Sequence, residues 1–106
     1  MSARLRGKSY ERTCAELFGG QRQPNTGKPG PDVITPTLVL ECKRVDEASV
    51  RGGWIEQARE HSRKAGRPWL LVCARKGSPL STTTMDTRLA LQLLRMARMI
   101  PREPEE

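Results

Sequence analysis

The sequence predicts a single α/β domain over residues 1–100, a mixed β-sheet flanked by helices on both faces in the order α-β-β-α-β-(β)-α, followed by an acidic tail at 101–106. Three observations predict it. Leu38-Val39-Leu40 and Trp69-Leu70-Leu71-Val72-Cys73-Ala74 are apolar without alternation, the mark of strands covered on both sides. Between them lies a stretch of helical periodicity that stops at Gly66, which makes a strand-helix-strand unit. Ahead of them, a glycine-proline turn and the short apolar run Val33-Ile34 suggest a hairpin into the first central strand.

The elements follow in order. Met1 to Lys8 is basic and expected to be loose at its start. Ser9 is placed to cap a helix running to about Phe18, with Gly19-Gly20 ending it. On that helix Tyr10, Cys14 and Leu17 make one apolar line, and Glu11, Ala15 and Phe18 a second, so Glu11 lies on a face turned toward the core. Gln21 to Pro31 reads as a polar loop, and Asp46 to Gly53 as a second connection. A helix from about Gly53 to Ala65 carries the apolar stripe Trp54, Ala58, His61 and Ala65, with Gln57 at its edge. Ser81 to Met85 is β-branched and suits an edge strand. Asp86 caps a last helix to about Met99, whose Leu89, Leu93, Met96 and Ile100 form a broad apolar face, and Pro101 stops it. Leu91, Leu94 and Met99 exceed that stripe and are compatible with a two-fold interface, although core packing accounts for them too.

Composition narrows the chemistry. The net charge is +7 with 19 basic residues, most of them arginine. Glu103, Glu105 and Glu106 close the chain, so the body upstream is more basic than the total. Arginine's planar fork suits phosphate, and a polyanionic partner is expected. Three cysteines, widely spaced, and one histidine offer neither a zinc pattern nor a disulfide framework; they read as buried thiols of a reducing cytoplasm. No signal peptide, membrane-spanning run, G-x-S-x-G or Walker loop is present. Carboxylate chemistry is what remains.

The carboxylates sit in a telling place. Asp32 follows Gly27-Lys28-Pro29-Gly30-Pro31, and Glu41-Cys42-Lys43 closes the first central run. Side chains alternate along a strand, so Val39, Glu41 and Lys43 share one face while Leu38, Leu40 and Cys42 share the other. With Asp32 on the adjacent strand of a hairpin, two carboxylates and a lysine converge. Such a set can hold a hard divalent cation and an adjacent water. A solvated strand face with a cross-strand ion pair accounts for the same Glu-x-Lys pattern. Glu11 is likewise open between a site acid and the partner of an arginine.

The set of Glu11, Gly30-Pro31-Asp32, Glu41-Cys42-Lys43-Arg44 and Gln57, in that order over roughly residues 8–75, resembles the PD-(D/E)XK nuclease superfamily, in particular its small Holliday-junction resolvases and phage nucleases. The resemblance implies a restriction-endonuclease-like core and a Mg²⁺-dependent deoxyribonuclease, with Mn²⁺ as a substitute. It implies that Asp32, Glu41 and the Cys42 backbone carbonyl ligate the metal, with Glu11 assisting, and that Lys43 activates water or stabilises phosphate charge. Gln57 would support the site. Lys8, Arg12, Lys28, Arg44 and Arg51 are expected to hold flanking phosphates. Because the chain leaves little room for a target-recognition domain, structure-directed cutting of branched DNA, or nonspecific cutting, by a cytoplasmic homodimer in a bacterial or phage-infected cell is expected. A catalytically silent DNA-binding accessory protein of the same fold is the alternative.

Overall fold

A computed structural model describes residues 3–24, 29–45 and 52–102. Three helices, α1 (Ala3–Phe18), α2 (Gly52–Ala65) and α3 (Thr87–Met96), accompany five strands: β1 (Gln21–Arg22), β2 (Val33–Ile34), β3 (Val39–Val45), β4 (Trp69–Arg75) and β5 (Ser81–Met85). The strands form one mixed sheet in the order β1-β2-β3-β4-β5. The β3–β4 pair is parallel and the other three pairs are antiparallel. The expected α/β architecture holds.

Why β3 and β4 sit in the middle follows from their side chains. Leu40, Cys42, Leu70 and Val72 face one way and join Cys14 and Ala15 of α1, with Tyr10, Phe18 and Leu89 of α3 packed against them. Val39, Leu71 and Cys73 face the other way and join Ala58 of α2, flanked by Trp54 and Ile55. Both faces of these strands are therefore covered, as their unalternating apolar runs require. Since β3 and β4 are parallel, the α2 crossover between them must run back against the strand direction.

Helix ends are set by left-handed residues. Gly19 (φ 67°) follows α1, and Gly20 N–H returns to the Ala15 carbonyl at 2.8 Å. Gly20 also lies against β2: a Cβ there would stand 2.8 Å from the Ile34 carbonyl oxygen and from Val33 Cγ1. No other residue fits without moving β2, and that contact fixes the first helix over the hairpin. The hairpin itself turns at Thr35-Pro36-Thr37-Leu38, where the buried Thr35 hydroxyl accepts from the Thr37 and Leu38 amides at 3.1 and 2.9 Å.

Several boundaries differ from expectation. Helix α1 begins at Ala3, so Ser9 lies inside it and its carbonyl accepts from the Thr13 hydroxyl. The expected loop after Gly20 opens with β1, which pairs with β2 because Gln21 and Arg22 meet Ile34 and Val33 in register. Strand β3 runs past Lys43 to Val45, so its charged pair is inside the strand rather than at its end. Asp86 caps α3 as expected, accepting from the Arg88 amide at 2.8 Å. That helix stops at Met96 rather than Met99, because Arg98 (φ 59°) takes the left-handed position and the Met99 amide returns to the Leu94 carbonyl. Nothing in the sequence signals this stop, since glycine normally fills such a position. Nor is any residue of α3 fully buried: Leu89 packs on the core only in part, and Leu93, Met96 and Met99 are 45, 74 and 72% exposed.

Candidate active site

Three elements converge on one end of the hairpin. Asp32 immediately precedes β2 and is clamped by backbone: its amide donates to the Leu40 carbonyl (3.1 Å), its carbonyl accepts from Gln23 (2.9 Å), and Oδ2 accepts from the Cys42 amide (2.8 Å). The last bond takes over where the β2–β3 ladder stops, one residue pair beyond Val33 and Leu40. A residue in an extended strand sends its N–H and C=O toward the same neighbour. The Cys42 carbonyl accordingly leaves β3 on the edge that Asp32 occupies.

Glu41 and Lys43 lie on the α2 face of β3. Glu41 is 2% exposed and shares a hydrogen bond through Oε1 with Nδ1 of His61, itself 5% exposed. Burial raises the Glu41 pKa from 4.5 to about 7, and the Asp32 charge adds to the rise, while the His61 bond and the His61 and Lys43 charges oppose it. Lys43, half-buried, places its Nζ over the Trp54 ring at 5.8 Å from the centroid. Glu11 approaches from the opposite face, on α1. Its Oε2 accepts from Arg22 Nε at 2.8 Å, and its pKa is raised by burial and by Asp32 against the lowering effect of Arg22. Asp32 is thus the electrostatic neighbour of both other acids, and the three bracket the edge of β3 from the two sides of the sheet.

The structure accordingly brings Glu11, Asp32, Glu41, Cys42 and Lys43 to one end of the sheet. Gln57 lies on the exposed side of α2, Arg12 and Arg44 are exposed, and Lys28 and Arg51 lie outside the described residues, as does the side chain of Lys8. Among the described residues no three His, Cys, Asp or Glu side chains gather around a single cation-sized point. Each acid is instead turned to its own partner: Arg22, the Cys42 amide or His61. The donor chemistry nevertheless fits a hard divalent ion, because the convergent groups are carboxylate and carbonyl oxygens. Two of the carboxyls have pKa values raised by burial and by a neighbouring acid, the strain that a cation relieves.

Three participants escape the sequence reading. Arg22 sits in a stretch expected to be loop, and the spacing of Trp54 predicts only a place on an apolar stripe. His61 belongs to that stripe by position and is buried with it, but a buried imidazole needs a polar partner, and Glu41 provides it. The sequence holds part of the signal, a histidine seven residues after Trp54 and hence on the same helix face, but which strand residue it meets is set only by the crossover.

No family model and no curated protein matches the chain. Among solved structures it is similar to a Holliday junction resolvase from the archaeal hyperthermophile Archaeoglobus fulgidus, with a TM-score of 0.56 and 20% identity over 74% of this chain and 76% of the other. The chain therefore shares the fold of that resolvase; among its own described residues this is a mixed five-stranded sheet flanked by three helices.

Proposed function

We propose that the protein is a divalent-metal-dependent DNA endonuclease of the PD-(D/E)XK type, acting on branched DNA as a homodimer. The observation that carries this reading is the Asp32 carboxylate hydrogen-bonded to the Cys42 amide, between an inward Glu41 and Lys43 on the adjoining strand. The shared fold with an archaeal Holliday junction resolvase adds support for the substrate class.

Asp32, Glu41 and the Cys42 carbonyl would hold the metal, Mg²⁺ by its preference for oxygen and with Mn²⁺ as a substitute, and Glu11 would assist from α1. When bound, it would polarise the scissile phosphate and lower the pKa of a coordinated water. The chain's own residues do the rest. Lys43 presents an ammonium beside that phosphate and offsets the charge that develops as the 3′ oxygen departs. Asp32 keeps the hairpin end closed by tying β2 to the backbone between the two reacting side chains. Arg12 and Arg44 are exposed near the same end and are suited to flanking phosphates, together with Lys8, Lys28 and Arg51. The exposed apolar side chains of α3 supply a surface for a second copy. Among the described residues no helix is long and apolar enough to cross a membrane.

Incubating the protein with four-way-junction and linear duplex DNA, in Mg²⁺, Mn²⁺ or EDTA, tests the proposal. Cleavage of the junction in either metal and none in EDTA is expected; no cutting of any substrate would overturn it. A second reading, a DNA-binding accessory without catalysis, is favoured by the protein partners that Glu11 and Glu41 already have. Asp32→Ala separates the two, because it abolishes cleavage with binding retained in the enzyme and changes only affinity in the binder.

A further inference from the structure

Trp54 and His61 lie on one stripe of α2, seven residues or two turns apart, which is about 10 Å along the helix. Glu41 and Lys43 lie on one face of β3, two residues or about 7 Å apart. Because α2 runs back against β3, the earlier helix residue must meet the later strand residue. That is the pairing observed: Trp54 with Lys43, His61 with Glu41. Across the sheet Lys43 is flanked by Cys73, its register partner on β4, and Trp54 lies over its ammonium. A glutamate with this degree of burial has few rotamers once one oxygen is bonded to a buried imidazole.

We propose that α2 is the positioning element of the Glu41-Cys42-Lys43 pair, with His61 fixing the orientation of the Glu41 carboxylate and Trp54 holding the Lys43 ammonium in place. Neither residue touches substrate; both act through the side chain they hold. The catalytic consequence rests on the nuclease reading above, whereas the positioning itself does not. Partners that orient metal ligands typically govern 10- to 100-fold in metal affinity or activity. A ring face and a cation contribute less at a half-exposed site.

The test uses the full chain carrying Trp54→Phe, Trp54→Leu, His61→Asn or His61→Leu. Unfolding equilibria of Trp54→Leu with Lys43→Met, and of His61→Leu with Glu41→Gln, form two double-mutant cycles that need neither metal nor DNA. Each is expected to depart from additivity by at least about threefold in the folding constant. Mn²⁺ affinity, read by electron paramagnetic resonance, should fall about 10-fold or more in His61→Leu and recover in His61→Asn, whose amide can hydrogen-bond Glu41 in place of the ring nitrogen. Junction-cleavage kcat should fall several-fold in Trp54→Leu with KM unchanged, and recover in Trp54→Phe. Additive cycles would overturn the proposal, as would Phe and Asn variants no better than Leu, or lower stability with kcat and Mn²⁺ affinity unchanged. Should the wild type neither cut DNA nor bind Mn²⁺, the nuclease reading alone fails, and the cycles still decide whether α2 holds the pair.

Discussion

The two ends of this small sheet invert the ordinary rule of burial in opposite senses. Around β2, β3 and α2, ionisable groups are inside: Glu41 and His61 are 2 and 5% exposed. Around α3, apolar groups are outside, with Met96 and Met99 exposed to 74 and 72%. Each arrangement is unfavourable in an isolated chain, one through desolvation and the other through apolar surface left in water. A buried acid with a raised pKa suits a cation, and an uncovered amphipathic helix suits another surface, the two features that the proposed nuclease would use. The sharper way to tell function from accident is to remove each anomaly and ask what is lost.

The largest effect is expected at the buried end. Asp32→Ala removes a carboxylate and frees the Cys42 amide, and should lower junction cleavage on the order of 10³-fold. Lys43→Met should do nearly as much, with the fold kept, since Lys43 is half-buried and its stem can be replaced by methionine. Steady-state cleavage beside circular dichroism checks both. Retained cleavage in either variant would reduce that residue to a structural role, Asp32 as a tie to the Cys42 amide or Lys43 as the cation over Trp54.

Glu41 makes a second prediction, on stability. Its pKa is raised from 4.5 to about 7, chiefly by burial, so the folded state holds a proton that the unfolded state has released. Stability is therefore greatest below about pH 4.5 as far as this group is concerned, and is lost as pH rises toward 7. The loss from this group is about 3 kcal/mol, by the linkage of pKa to stability. Without divalent metal, the wild-type unfolding free energy should fall over that window, and Glu41→Gln should remove most of the fall while abolishing cleavage. A variant that is more stable at pH 8 yet inactive marks a residue kept for chemistry; a flat wild-type profile would refute the assigned burial cost.

At the other end, Leu93→Glu with Met96→Glu should leave the protomer folded, because these side chains are largely exposed. In sedimentation the wild type should run as a dimer and the double variant as a monomer. If both run as monomers, the exposed face is not a self-association surface, and the comparison between the two ends loses its second half.

How far the sequence carried this picture differs between the same two ends. The central strands and the hairpin were legible, and with them the face of β3 that carries Glu41 and Lys43, because period-two alternation places each side chain once a strand is recognised. What was not legible depends on distances that no periodicity encodes. His61 and Trp54 fall on an apolar stripe whichever group they face, and only the crossover geometry assigns them Glu41 and Lys43. The early stop of α3 was hidden because Arg98 adopts a conformation ordinarily left to glycine. The apolar face of α3 fits core and interface equally, because an amphipathic pattern does not say whether its partner is in the same chain.

The smallest expected effect bears on Glu11, which links the two roles the buried end can have. Its side chain and that of Arg22 are 22 and 24% exposed, and their part-buried, hydrogen-bonded ion pair contributes on the order of 1 kcal/mol. Arg22→Met should lower stability by that amount, because Glu11 then keeps the repulsion of Asp32 without its counterion. Glu11→Gln removes the pair and the repulsion together, so its stability should stay close to wild type. If Glu11 assists the site, Glu11→Gln lowers cleavage roughly tenfold while Arg22→Met leaves kcat nearly unchanged, the result expected here. Equal losses of activity in the two variants would mean that the ion pair matters only as a brace between α1 and β1, and that Glu11 is no part of the chemistry.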